Sequence, residues 1–229
     1  MSNIRHMPRP PRPLADRRRQ RDLLKRGTFI LLLMPLVWLV LQWGFLLTTG
    51  GSALGVNPIE ASIRFTGEWA LRALLLTLAV SPLARFSRWT PVMSIRRMLG
   101  LYTFTYAALH FCLYFGFDKE LSVADVVADV LKRWYITLGM GGLLLLIPLA
   151  ATSSAGAIRR LGGRRWQRLH RAVYAIGALA CAHFVLLVKG NQLEPWVYAG
   201  IFALLMILRL IPRSTGPLPT TTASAPTGH

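Results

Sequence analysis

Acidic side chains are scarce in this chain. Nine Asp and Glu stand against 27 Lys and Arg in 229 residues, a formal net charge of +18. A surplus of that size would indicate nucleic-acid binding if the cations covered one globular face. Here they fall in short runs between long apolar stretches, which is a topology signal and argues against a nucleic-acid partner. Cysteine is nearly absent as well. Cys112 and Cys181 lie inside apolar segments and form no C-x-x-C pair, so packing is their expected role rather than a thiolate metal centre. The first apolar stretch is long enough to span a bilayer and no small-residue cleavage pattern follows it, so no cleavable signal peptide is expected. Neither a solenoid-length repeat nor an inverted repeat is evident.

What the chain has in abundance is apolar surface. Hydrophobic residues make up 53% of it and the mean hydropathy is +0.43, more than a soluble core of this size can enclose. About twenty apolar residues cross the hydrocarbon core as a helix. Six segments approach that length, near 27–48, 69–86, 98–117, 134–152, 168–188 and 195–211. The expected fold is therefore all-α, a polytopic transmembrane helix bundle of about six spans over residues 27–211. Residues 1–26, with nine Lys or Arg among several prolines, read as a disordered, membrane-facing tail; residues 212–229, rich in Thr, Ser, Pro and Gly, read as a second one. The second span contains Arg72 and Pro82 and is the weakest by hydropathy, so it needs a protein-facing side for its arginine. The last is short, which leaves five spans plus a re-entrant piece as an alternative.

With a cytoplasmic N-terminus, six spans place 20 Lys and Arg on the inside and 5 outside. That asymmetry puts both termini in the cytoplasm. The outer loop DKELSVADVVADVLKR carries four acids, and its apolar spacing predicts an amphipathic helix on the outer surface. Trp69, Trp134, Trp166, Trp196 and Tyr198 fall at span ends, where interface-seeking rings belong.

Three of the five histidines, His110, His170 and His183, lie in or at the ends of spans three and five, where an ionisable group is costly unless it serves a function. Neutral imidazole ligates heme iron, and helix bundles hold cofactors between side chains of facing helices. At 1.5 Å per residue, His110 and His183 both sit about 18 to 22 Å above the inner boundary. Being level, they form a candidate pair of axial ligands for a heme in the outer half of the membrane. His170, about 20 Å lower, cannot share that heme. The position thirteen residues before His110, where an inner partner would stand, is Arg97. His170 is thus one ligand of an inner heme with a non-histidine partner or none, or a group serving a flavin or quinone site. The plain alternative is that each histidine only hydrogen-bonds a neighbouring helix, for about 0.6 kcal/mol apiece.

Gly139, Gly141, Gly142 and Gly177 would permit close approach of helices or of a porphyrin, ordinary helix packing being the simpler cause. Arg72 and Lys189 fall near outer span ends and are candidate partners for heme propionates. Arg96, Arg97, Arg164 and Arg165 could attract a flavin phosphate, although the inside-positive bias already accounts for them.

The stretches FTGEWALRALLLTLAVSPLAR (65–85), RRMLGLYTFTYAALHF (96–111) and GGRRWQRLHRAVYAIGALACAHF (162–184) resemble the corresponding segments of the MsrQ (YedZ) family, within the ferric-reductase-like transmembrane group. These are heme-binding inner-membrane subunits of a bacterial system that repairs methionine sulfoxide in periplasmic proteins. The similarity extends over about residues 28–210. It implies that His110 and His183 ligate b-type heme, that His170 is heme-associated, with one heme or two, and that FMN is a candidate cofactor. It further implies an electron-transfer subunit that takes electrons from the quinone pool and passes them to a periplasmic molybdopterin enzyme, MsrP, in which the sulfoxide itself is reduced. No Rossmann-type glycine fingerprint and no appended nicotinamide domain appears in this sequence, so the electrons must come from outside it. Two other readings remain open: a ferric or cupric reductase acting directly on metal, and a heme-free transporter or assembly protein.

Overall fold

The structure, a computed structural model, describes residues 14–51, 53–188 and 192–211. Among these residues it contains helices and no strand. Helix α1 (Leu14–Thr49) has 36 residues, about 54 Å of rise against a hydrocarbon thickness of about 30 Å. Its first turns therefore project beyond any bilayer. The boundary expected at residue 27 falls inside this helix: residues 14–26 continue the apolar stretch as helix, since Arg, Gln, Leu and Lys are good helix formers. Residues 1–13 and 212–229, where the remaining tails were expected, lie outside the described residues.

Helix α2 (Pro58–Phe86) starts where the sequence provides a start. The Asn57 side chain accepts a hydrogen bond from the Glu60 amide, and Pro58 occupies the first turn. Although Arg72 and Pro82 made it the weakest span by hydropathy, α2 is the most enclosed helix, with 44% of its apolar window buried against 17–22% for the other long helices. A helix covered by protein on most sides does not need lipid-grade hydropathy. It contributes Leu71, Leu74, Leu75 and Leu78 to one core, with Leu146, Leu149, Val173, Ile176, Cys181 and Leu205. Its Ala73 and Val80 join a second core with Leu32, Val92 and Leu99.

A 3-10 turn at Thr90–Ile95 leads into α3 (Arg96–Leu113), which continues through a π turn, Tyr114–Asp118. The amphipathic helix expected in the next loop is α4 (Val123–Lys132), capped by Ser122. Its Val123, Val127 and Leu131, followed by Trp134, form an exposed apolar row. On its other side Asp129 pairs with Lys119 at 2.8 Å and accepts from the Tyr114 hydroxyl at 2.9 Å.

Helix α5 (Trp134–Ala151) is the expected fourth span. Two short helices not expected from sequence, α6 (Ala155–Leu161) and α7 (Gly163–His170), precede α8 (Val173–Leu187). The fifth span is therefore interrupted by a turn at residues 171–172. Helix α9 (Glu194–Leu210), with 17 residues, closes the described chain. Five helical stretches are long and apolar enough to cross a membrane, and α9 is the short sixth. Trp134 and Trp196 are exposed at span ends as expected, whereas Trp69 stacks inside the bundle on Tyr106. Cys181 is buried in the core; Cys112 is instead exposed on α3.

Of the four glycines singled out as contact points, Gly177 marks the tightest helix approach: a β-carbon there would run into the Phe202 ring of α9. Gly177→Val should lower stability by about 1–3 kcal/mol, seen as a lower midpoint in thermal unfolding in detergent. Gly200→Ala, with open space around it, should not. A second expectation concerns α4. Lys119 holds the Asp129 carboxyl below its ordinary 3.8, so the attachment is complete above that value and weakens as pH falls below it. Fluorescence of Trp134, at the end of this segment, should change on acidification in the wild type, and the Asp129→Asn variant should show that changed signal already at pH 7.

Candidate functional site

Two helix pairs pack most extensively, α2 with α3 and α5 with α8, and each carries one of the intramembrane histidines at its contact. On α3, His110 turns its ring toward α2, where its Nδ1 lies 2.8 Å from the Ile63 carbonyl oxygen. On α8, His183 turns toward α5, where its Nδ1 lies 2.6 Å from the Tyr135 carbonyl oxygen. Because a carbonyl can only accept, each Nδ1 carries the proton and donates it. The lone pair is then on Nε2. A ring nitrogen held this way fixes the tautomer and orientation of a metal-ligating imidazole.

Each ring is seated on a glycine one turn beyond that carbonyl. A β-carbon on Gly67 would lie 2.9 Å from His110 Nδ1, and one on Gly139 would lie 2.9 Å from His183 Nδ1. Carbonyl, glycine and histidine thus recur in the two pairs, with carbonyl-to-histidine separations of 47 and 48 residues. No repeat was evident in the sequence because it consists of a carbonyl, a missing side chain and an imidazole, and only the last two leave a letter. Of the glycines expected to matter, Gly139 receives a histidine, while Gly141 and Gly142 make ordinary contact with Leu179. Gly67 was not foreseen; the signal that could have found it is its glycine-to-histidine interval, 43 residues against 44 for Gly139 and His183.

The two imidazoles face each other. Their ring centres are 6.3 Å apart and their planes are inclined by 81°. A metal–imidazole bond of about 2.0 Å, with about 1.1 Å more from that nitrogen to the ring centre, makes an arm of about 3.1 Å. Two such arms meeting at one atom place the ring centres about 6.2 Å apart. The observed spacing fits a single iron held from both sides. Around the rings lies a half-enclosed cavity with about 1100 Å³ of space, counting its open side. Its walls are largely aliphatic, among them Leu71, Leu74, Leu146 and Ile176. Arg64, Glu68 and Tyr114 also line it. These residues suit an amphipathic macrocycle with an apolar body and a charged edge.

The remaining candidates separate from this cavity. His170 ends α7, donates from Nδ1 to the Trp166 carbonyl at 3.1 Å and stacks on the Trp166 ring at 4.0 Å. It does not line the cavity of the other two histidines. The arginine whose charge reaches it is Arg96, while Arg97, thirteen residues before His110, is exposed. Residues 171–172 stay right-handed helical and tighten into turn hydrogen bonds between α7 and α8. Arg72, expected as a propionate partner, is already engaged: Nε donates to Tyr198 Oη at 2.7 Å, and a terminal nitrogen donates to Glu68 at 2.9 Å. Lys189 lies outside the described residues. Among the described residues no group of three or more His, Cys, Asp or Glu could hold a metal ion by itself.

Comparison with known proteins agrees with this geometry. The family model described as ferric reductase like transmembrane component matches residues 66–181, which include His110 and His170 and end two residues before His183. A protein-methionine-sulfoxide reductase heme-binding subunit MsrQ of Rhodospirillum rubrum is 46% identical over 195 residues, covering 85% of this chain and 91% of that relative. Proteins of the same name from Herminiimonas arsenicoxydans and Caulobacter vibrioides are each 44% identical, covering 83% and 77% of this chain and 86% and 81% of their own length. A helical bundle with facing histidines, matched to these relatives over most of its length, places the chain in the MsrQ family of heme-binding subunits of protein-methionine-sulfoxide reductase, among the ferric-reductase-like transmembrane components.

Proposed function

We propose that His110 and His183 are the two axial ligands of a b-type heme, and that the chain is a bacterial inner-membrane electron-transfer subunit. The carrying observation is the pair of facing imidazoles 6.3 Å apart, each with Nδ1 committed to a carbonyl and Nε2 left as a ligand. When bound, the heme supplies a one-electron couple. The protein's own contribution is to hold both rings before the cofactor arrives, so that little ordering accompanies ligation, and to surround them with Leu71, Leu74, Leu146 and Ile176, which exclude water.

Orientation follows from charge. Both termini are assigned to the cytoplasm, since the arginines gather at one end of the bundle and most acids, Glu60, Glu68, Asp118, Glu120, Asp125, Asp129 and Glu194, lie toward the other. That puts the His110–His183 level in the outer half, close to a periplasmic acceptor. The printed names of the relatives support a methionine-sulfoxide reductase system. In this reading electrons come from the quinone pool, and the acceptor is an MsrP-like molybdopterin enzyme that performs the sulfoxide reduction. Arg96 and His170, with Trp166 stacked on the imidazole, form the candidate entry region. FMN or a second heme would be held there.

Optical spectra test the ligands. His110→Ala and His183→Ala should each abolish the low-spin heme signature, and Gly67→Leu or Gly139→Leu should do the same by driving the ring off its seat. His170→Ala should retain it. Redox titration of wild type beside His170→Ala counts the hemes. An unchanged Soret band in both single ligand variants would sink the assignment. For the wider function, proteoliposomes holding the wild-type chain and a quinol should reduce a sulfoxide-bearing peptide only when the periplasmic partner is added. Equal oxidation of the reduced heme by ferric chelates without the partner would favour a metal reductase.

A further inference from the structure

The cavity of the two histidines is polar at one end only. Arg64, Glu68 and Tyr114 line it toward the start of α2 and the end of α3, whereas Leu74, Thr103, Leu146 and Ile176 line its other end. Heme has the same asymmetry, with two carboxylates on one edge and only methyl and vinyl groups on the opposite one. Thr103 offers that other end no counter-charge, because its hydroxyl is spent on the Leu99 carbonyl at 3.0 Å.

Two arginines stand near the polar end, and their surroundings differ. Arg72 is fixed by Tyr198 and Glu68 and lies over the Trp69 ring, and it is not part of the cavity wall. Arg64 is part of that wall, and its only ion pair among the described residues is with Glu60, at 3.4 Å between side chains that are 57% and 64% exposed. An exposed pair of this kind contributes about 0–1 kcal/mol, so Arg64 can leave it for a stronger carboxylate at little cost. Glu68, the other charge on this wall, is neutralised by Arg72 at 2.9 Å. That bond keeps a carboxylate at the wall from repelling another.

We propose that Arg64 is the propionate-binding residue, so that the cofactor lies with its carboxylate edge toward the start of α2, and that Arg72 is a positioning residue whose task is to neutralise Glu68. The proposal rests on the heme assignment above. The two fail differently: loss of that assignment removes the heme spectrum in the histidine variants, whereas loss of this one leaves the spectrum intact.

The test compares wild type, Arg64→Gln and Arg64→Lys, each reconstituted with heme b or with its dimethyl ester, in which the propionates are masked. Arg64→Gln should keep the low-spin spectrum, bind heme b about tenfold more weakly and show a lowered midpoint potential with a shifted propionate bending mode in resonance Raman spectra. Arg64→Lys should recover most of the affinity. With the dimethyl ester, wild type and Arg64→Gln should bind alike, because the group through which Arg64 acts has been removed. A tenfold difference that persists with the ester would overturn the assignment. So would an unchanged propionate mode in Arg64→Gln together with a shifted one in Thr103→Val, which would mean that the carboxylate edge faces the opposite way. Should Arg64→Gln fail to accumulate, the ester in wild-type protein decides alone: it should bind more weakly than heme b, and equal binding refutes an ionic contact.

Discussion

Everything at this site depends on one repeated contact, an imidazole N–H donated to a helix carbonyl over a glycine. Helix carbonyls are normally occupied by the amide four residues later, so Ile63 and Tyr135 accept from histidine through their second lone pairs. For the ring to come that close, the residue one turn along must have no side chain, which is why Gly67 and Gly139 stand where they do. The same bond fixes which nitrogen is free, where it points and how near the helices of each pair can lie. Removing the imidazole would therefore disturb helix packing as well as ligation, and removing the glycine would disturb ligation without touching a ligand.

The enclosure of α2 follows from the same demand. It must present Ile63 and Gly67 to α3, Leu71 and Leu74 to the cavity, Arg72 to α9 and Ala73 to α1 and its neighbours, and its buried positions run from Ser62 to Pro82. Several of its polar residues survive there through partners within the helix or across it. Thr66 and Thr77 donate to carbonyls one turn back, and Arg72 is shared between Glu68 and Tyr198. In a low-dielectric interior such groups are tolerated only when paired. The hydrogen bond to Tyr198, with Glu194 at 3.8 Å from the same guanidinium, in turn holds α9, too short to be a secure span by itself, against the centre of the bundle.

Much of this was legible in the sequence, for identifiable reasons. The fixed rise of the helix allowed His110 and His183 to be placed at one level from residue counts alone, and the structure brings their rings to 6.3 Å. Apolar length located the long helices, and apolar spacing located α4. What escaped was whatever depends on a turn or on an absence. The turn at 171–172 separates α7 from α8, and the arginine that reaches His170 is Arg96 rather than Arg97. Gly67 sits in the least hydropathic span, where nothing signals a seat for a ring. Arg72 was conspicuous as an intramembrane cation, yet its partners lie 4 and 126 residues away, and the second cannot be read from local sequence.

The arrangement also sets two of these three histidines apart from the third. The two imidazoles are fixed by short bonds to opposite helix pairs, and because an iron between them would join α3 to α8, cofactor binding would tie the two halves of the bundle together. Ligation of that kind stabilises the folded form in proportion to its affinity. At the other end of the bundle, His170 donates to the Trp166 carbonyl of its own helix and stacks on that indole, the Leu149 backbone of α5 also bonds it, and Arg96 supplies positive charge nearby. The contrast is between two imidazoles that share one cavity, each with one nitrogen committed to a carbonyl of the neighbouring helix, and a third that is held by backbone contacts outside that cavity.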